Sequence, residues 1–208
     1  MTFKTRLKLS SLFRPLNTLL RGSKSVQWRL TGSPLPPLHE IKQSRLLRLQ
    51  KRFGLKVFVE TGTYRGKMVF AMRPYFSRIV TIELASELAQ KAKQLFAEHP
   101  QIEVLHGDSA DLLPSVLKGL DEPALFWLDG HFSGGETGKG DKLTPILEEL
   151  SAVLSHDVSG HVIAIDDALC FTGADDYPTI DELREFVAAQ AASYQVEVED
   201  NIIYVTPS

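Results

Sequence analysis

The 208-residue chain is 43% hydrophobic and 24% charged, with one cysteine (Cys170) and a formal net charge of −3. These values exclude collagen-like, coiled-coil and wholly disordered classes, and a lone cysteine excludes an internal disulfide or a cysteine-based zinc site. No run of 18 apolar residues occurs, which excludes a membrane-spanning helix, and the length suits one domain with short extensions.

The chain opens on an arm of unusual charge. Residues 1–39 hold seven bases (Lys4, Arg6, Lys8, Arg14, Arg21, Lys24, Arg29) and no acid, leaving 16 bases against 26 acids in the rest. A body this acidic is a poor nucleic-acid partner, because phosphate contacts need clustered positive charge. Within the arm, Leu9, Leu12, Phe13, Leu16, Leu19 and Leu20 make one helical stripe, interrupted at Pro15. Two readings stand: peripheral contact with an anionic membrane through residues 1–33 or a targeting presequence, and a short helix or frayed tail on its own domain. A secretory signal does not fit, since Arg14 and Pro15 break the only candidate apolar core. Ser33–Pro37 reads as a stiff linker, which divides the chain into an arm and linker (1–37) and a body (38–208). The single cysteine fits a reducing, cytoplasmic setting.

Strands and helices alternate from there. The pattern predicts an amphipathic helix over Leu38–Phe53, a strand over Leu55–Glu60 and a helix over Gly66–Met72. A strand over Arg78–Glu83 and a helix over Ser86–His99, with Ser86 as its N-cap, come next. A strand over Ile102–His106 leads to a helix capped by Asp108 or Ser109 and running to Leu117. A strand over Ala124–Asp129, a helix over Lys142–Leu154, a strand over His161–Asp166 and a helix over Thr179–Ala192 complete the alternation. Tyr194–Glu199 and Ile202–Thr206 form a closing hairpin turned by Asp200-Asn201. Five strand–helix units imply parallel strands, the hairpin is antiparallel, and seven strands make a doubly wound α/β sheet. Phe126 and Trp127 belong to its core, and a buried Cys170 is expected.

Ligands of an open α/β sheet bind beyond the carboxyl ends of its strands. Here those ends read Glu60, Glu83, Asp108, Asp129 and Asp166-Asp167. Such a cluster repels itself, so it suits cationic, hydroxyl-bearing or metal ligands, although helix capping explains Asp108 well. The first loop, Glu60-Thr61-Gly62-Thr63-Tyr64-Arg65-Gly66, has the form E-x-G-x-x-x-G between strand and helix. It lacks the second glycine of the dinucleotide fingerprint, which argues against a nicotinamide-dependent oxidoreductase. Glu60 would instead suit an ammonium or sulfonium, Glu83 the two hydroxyls of a ribose, and Asp108-Ser109 an adenine.

Glycine loop, ribose acid and third-strand aspartate, in that order, resemble a class I S-adenosylmethionine-dependent methyltransferase over residues 54–206. The resemblance implies a Rossmann-like sheet of order 3-2-1-4-5-7-6 with its last strand antiparallel, preceded by an N-terminal helical extension. It implies cofactor contacts from Glu60, Gly62, Thr63, Gly66, Glu83, Asp108 and Ser109, and methyl transfer to a hydroxyl oxygen of a small-molecule acceptor. Asp129 and Asp166-Asp167 are similar in place to the metal ligands of catechol, caffeoyl-coenzyme A and macrocin O-methyltransferases, which implies Mg²⁺ held by those three acids. Such an ion would lower the pKa of the acceptor hydroxyl. Where those enzymes carry a second acid, this chain has His131, open to three readings: general base, metal ligand or structural histidine. Asp129 and His131 are the expected catalytic residues. The glycine-rich stretch 132–141 is the expected lid. A different class stays open, a non-catalytic cofactor-binding adaptor acting at a membrane or protein through its basic arm.

Overall fold

The computed structural model describes residues 23–130 and 144–208. His131, the glycine-rich stretch and residues 1–22 of the arm lie outside the described residues, and with them the expected lid and most of the segment expected to touch a membrane. Among the described residues no helix is long and apolar enough to cross a membrane.

The elements run α1 (His39–Phe53), β1 (Val57–Thr61), α2 (Lys67–Met72), β2 (Arg78–Glu83), α3 (Ser86–Phe96), β3 (Ile102–His106) and α4 (Ser109–Lys118). They continue as β4 (Ala124–Leu128), α5 (Ile146–Leu154), β5 (Val162–Ile165), α6 (Ile180–Gln190), β6 (Tyr194–Glu199) and β7 (Ile202–Pro207). The seven strands form one sheet of order β3-β2-β1-β4-β5-β7-β6. Strands β1 to β5 pair in parallel, and β7 is antiparallel to both β5 and β6. This is the expected Rossmann-like order.

Both faces of the sheet are covered, which is why β1, β4 and β5 are apolar without alternation. On one face Val59, Ile82, Phe126 and Ile163 meet Leu113 of α4, Leu150 of α5 and Leu183 of α6. On the other, Phe58, Ile79 and Trp127 meet Leu46 of α1, Met68 of α2 and Phe96 of α3. Phe126 and Trp127 are core residues, as expected.

Several local expectations are corrected. Strand β1 starts at Val57 because the Leu55 N–H turns back to Gln50 O (3.1 Å) and closes the end of α1. Helix α3 stops at Phe96, where the His99 N–H bonds Phe96 O (2.8 Å) in a tight turn before Pro100. Its N-cap is Ala85, not Ser86, and Glu83 Oε1 accepts the N–H of that N-cap residue at 2.9 Å. Cys170 is exposed, because the 3₁₀ turn Ala168–Cys170 turns Ala168 inward and leaves Leu169 and Cys170 outside. Helix α6 opens on a reciprocal capping box between Thr179 and Glu182. In the described part of the arm, residues 23–30 are helical, Trp28 is buried, and its indole N–H donates to Pro34 O at 3.0 Å.

Candidate functional site at the carboxyl edge of the sheet

The ends of β1 and β2 form one half of the site. Glu60 and Thr81 are paired in register, and Glu60 Oε2 accepts the Thr81 hydroxyl at 2.7 Å. Thr63 Oγ1 lies 2.6 Å from the same hydroxyl. Glu60 is 1% exposed. Burial pushes its carboxyl well above the usual carboxylate range, the Thr81 hydroxyl opposes this, and Asp129 and Glu83 add to the push. Among the described residues no basic side chain acts on Glu60. Glu83 accepts two backbone N–H groups, Tyr64 at 2.7 Å and Ala85 at 2.9 Å. Tyr64 reaches it because its φ of +47° turns that N–H toward β2. Each carboxylate oxygen keeps a lone pair for a further donor.

The glycines of this loop serve the protein's own packing. At Gly62, φ is +82° and an added Cβ would sit 2.2 Å from the Asp129 carbonyl oxygen. Gly62 thus allows the close approach of the β1 and β4 ends. At Gly66 (φ +65°) a Cβ would sit 2.8 Å from Phe96 Cζ, so this glycine lets α3 pack against the loop.

The ends of β4 and β5 form the second half. Asp166 is buried beyond β5, and Asp167 adopts the left-handed region at φ 55°. Asp166 Oδ1 accepts the Asp167 N–H at 2.9 Å, and Asp166 Oδ2 accepts the ammonium of Lys42 from α1. Lys42 Nζ lies 3.7 Å from Asp167 Oδ1, which also accepts Asn201 Nδ2 at 3.0 Å. Burial disfavours the Lys42 charge, but Asp166, Asp167 and Asp129 together hold its pKa above the ordinary lysine value. Two of the three expected metal ligands, Asp166 and Asp167, therefore face a lysine ammonium, and the charge of the third, Asp129, acts on it as well. Both oxygens of Asp166 are engaged by the protein, and among the described residues no group of three His, Cys, Asp or Glu is arranged to hold an ion. These residues do not fit Mg²⁺.

Lys42 belongs to a stripe. Arg45 is three residues on and pairs with Asp200, with Glu199 at 3.3 Å; Arg48 is three further and meets Glu199 at 2.5 Å. Residues at i, i+3 and i+6 drift slowly round a helix, so all three reach the same side. Lys42, Arg45 and Arg48 of α1 thus pair with the β5 and β6–β7 ends of the sheet.

Asp108 and Ser109 lie at the third strand end. Asp108 is the N-cap of α4, its Oδ1 accepting the Ala110 N–H at 2.9 Å, which is the capping role that its position suggested. Ser109 is buried beside a residue that the sequence reading passed over, Glu149 of α5. Glu149 is 1% exposed, and burial pushes its pKa up to about 7 against the neighbouring hydroxyls of Ser109 and Thr61. Its Oε1 and Thr61 Oγ1 have no hydrogen-bond partner among the described residues. Glu149 stands on the apolar stripe Ile146, Leu150, Val153, and an acid in such a stripe is the signal that would have found it. A small cleft beside it is lined by Gly130, Thr144, Glu149, Asp166, Phe171 and Tyr177.

No protein-family model matches the sequence, and no curated protein matches it. Solved structures do. An O-methyltransferase from Bacillus cereus in complex with SAH is 17% identical, with a TM-score of 0.58 over 89% of this chain and 90% of that one. The O-methyltransferase TomG from Streptomyces achromogenes, involved in tomaymycin synthesis and solved with SAM, is 18% identical, with a TM-score of 0.57 over 100% of both chains. The SAH-bound Podospora anserina methyltransferase PaMTH1 is 15% identical, with a TM-score of 0.58 over 87% of this chain and 86% of that one. At these identities the likeness is one of architecture: this chain has the Rossmann-like fold on which those methyltransferases are built.

Proposed function

We propose that the protein transfers a methyl group from S-adenosylmethionine to an oxygen of a small-molecule acceptor. The observation that carries this reading is Glu60, a buried carboxyl on which the like charges of Asp129 and Glu83 act and no described basic side chain does. A cationic ligand relieves that repulsion, and the amino-acid end of S-adenosylmethionine bears an ammonium and a sulfonium. Fold likeness to structures solved with SAM and SAH supports the same choice.

When bound, the cofactor supplies a sulfonium-activated methyl group, displaced onto the acceptor oxygen with the carbon–sulfur electron pair returning to sulfur. Glu60 balances the positive end and Thr63 lies beside it. Glu83, held by two backbone N–H groups, offers its remaining lone pairs to the ribose hydroxyls. Asp108 and Ser109 border the adenine end. Asp129, whose charge acts on both Glu60 and Lys42, takes the acceptor's proton, alone or with His131. The carboxyl edge aligns the reactants and excludes water, which is the larger part of the rate gain in a single displacement. No step needs a metal. We place the protein in the cytoplasm, where the exposed Cys170 stays reduced.

Calorimetric titration with S-adenosylhomocysteine tests this. The wild type should bind, and Glu60→Gln and Glu83→Gln should each weaken binding about tenfold, the loss of one charge-assisted contact. Absence of binding by the wild type overturns the reading.

A further inference from the structure

We propose that Lys42 is the resident cation of the β4–β5 half of the site: its ammonium fills the position that the Asp129, Asp166 and Asp167 set suggests for a divalent ion, and the acceptor oxygen binds to this ammonium. The part concerning the acceptor rests on the methyl-transfer reading; the part concerning the cation does not.

Three features carry the inference. The first is placement. Lys42 donates to Asp166 Oδ2, lies 3.7 Å from Asp167 Oδ1, and is acted on by Asp129 from the end of β4. One ammonium thereby pairs with two of the acids and lies in the field of the third. The second is fixation. The Lys42 side chain is 14% exposed, and its helix is held by Arg45 and Arg48 on the β6–β7 hairpin and by Ile41, Leu46 and Leu49 in the core. The ammonium is therefore delivered by a clamped helix and not by a surface side chain that happens to reach inward. The third is the state of the acids. Asp166 has one oxygen on a backbone N–H and the other on Lys42, and Asp167 Oδ1 takes an amide donor from Asn201. A hard ion would have to displace Lys42 and leave an ammonium buried against it.

An ammonium and Mg²⁺ do related work on an oxygen. Both favour its anionic form, but the ammonium does so as a point charge with three donors and no demand for octahedral ligands. Of the three N–H donors of Lys42, Asp166 takes one and Asp167 lies at 3.7 Å, which leaves donor capacity for an acceptor hydroxyl or phenol. Lys42 in this role is a binding and positioning residue.

The test is Mn²⁺ titration of the full chain, read by electron paramagnetic resonance, on the wild type, Lys42→Met and Lys42→Met/Asp166→Asn. The wild type should show no specific Mn²⁺ binding at millimolar ion. Lys42→Met keeps the apolar stem, removes the ammonium from the acids, and should bind Mn²⁺ at least tenfold more tightly than the wild type; the added Asp166→Asn should abolish that gain. Specific Mn²⁺ binding by the wild type overturns the inference, and this arm stands even if Lys42→Met fails to fold. A folded Lys42→Met that gains no Mn²⁺ binding also overturns it, leaving Lys42 a strut between α1 and β5. Calorimetry with S-adenosylhomocysteine on the same samples keeps the readings apart: loss of cofactor binding by the wild type sinks the methyl-transfer reading whatever the Mn²⁺ result.

Discussion

The two halves of the carboxyl edge are both acidic, yet they are balanced in opposite ways. At β4–β5 the protein brings its own cation, Lys42, into Asp129, Asp166 and Asp167. At β1–β2 it buries Glu60 beside Glu83 and brings none among the described residues. Unpaired carboxylates in a dry site cost stability, and the cost persists where a ligand repays it. The difference teaches that charge is matched internally where the protein positions an acceptor, and left open where a cationic ligand completes it.

The join between the halves is the most sensitive place to attack this contrast. Gly62 holds the β1 end against the Asp129 carbonyl, where a Cβ would intrude to 2.2 Å, at a φ of +82°. Gly62→Ala should destabilise the fold by about 4 kcal/mol, from backbone strain and a clash that neither side can relieve. Chemical denaturation measures it, and a loss below 1 kcal/mol would show that the two strand ends are not rigidly joined.

Under the join lies Glu149, and its effect depends on pH. Its pKa is about 7 in the folded protein, against an ordinary value of 4.5. The folded state therefore binds more protons between these values. The contribution is complete below pH 4.5 and is lost as pH rises through 7. Relative to Glu149→Gln, which cannot ionise, the wild type should lose up to about 3 kcal/mol across this window. Buried His161, lowered to about 4, gives an opposing slope below its ordinary 6.5 and cancels in the difference between the two proteins. Paired denaturation curves from pH 4 to 8 check it; parallel curves would place Glu149 in contact with water.

A smaller effect sharpens the internally balanced half. Arg45 is 9% exposed and ties the helix bearing Lys42 to Asp200 and Glu199. Arg45→Met should cost about 2 kcal/mol, because Asp200 is left without its partner. Thermal melts read the loss.

What could be read from the sequence follows from which interactions are local. The alternation of strands and helices and the row of acids at the strand ends were legible, because periodicity, helix breaks and terminal residues are properties of short windows, whereas the strand order came from the family resemblance. Asp108 as a cap was legible for the same reason. Lys42 was not: its acidic partner lies 124 residues away, and a lysine in an amphipathic helix looks like a solvated one. Mg²⁺ followed from the likeness of these acids to the ligands of metal-dependent O-methyltransferases, and the cation beside them comes from an element outside their stretch of chain. The contact of Gly62 with the Asp129 carbonyl was not legible, because it joins two strands that lie far apart in the chain. Glu149 was visible in its stripe and passed over.

The clamp on α1 has a consequence for how the protein is made. The helix emerges from the ribosome early, but Arg45 waits 155 residues for Asp200, and its hydrophobic face docks on strands not yet synthesised. Contacts of this span form late and slow folding. The mouth thus acquires its ammonium only when the final hairpin arrives. Trimming that hairpin should disarm the acceptor side without removing any residue that touches an acceptor.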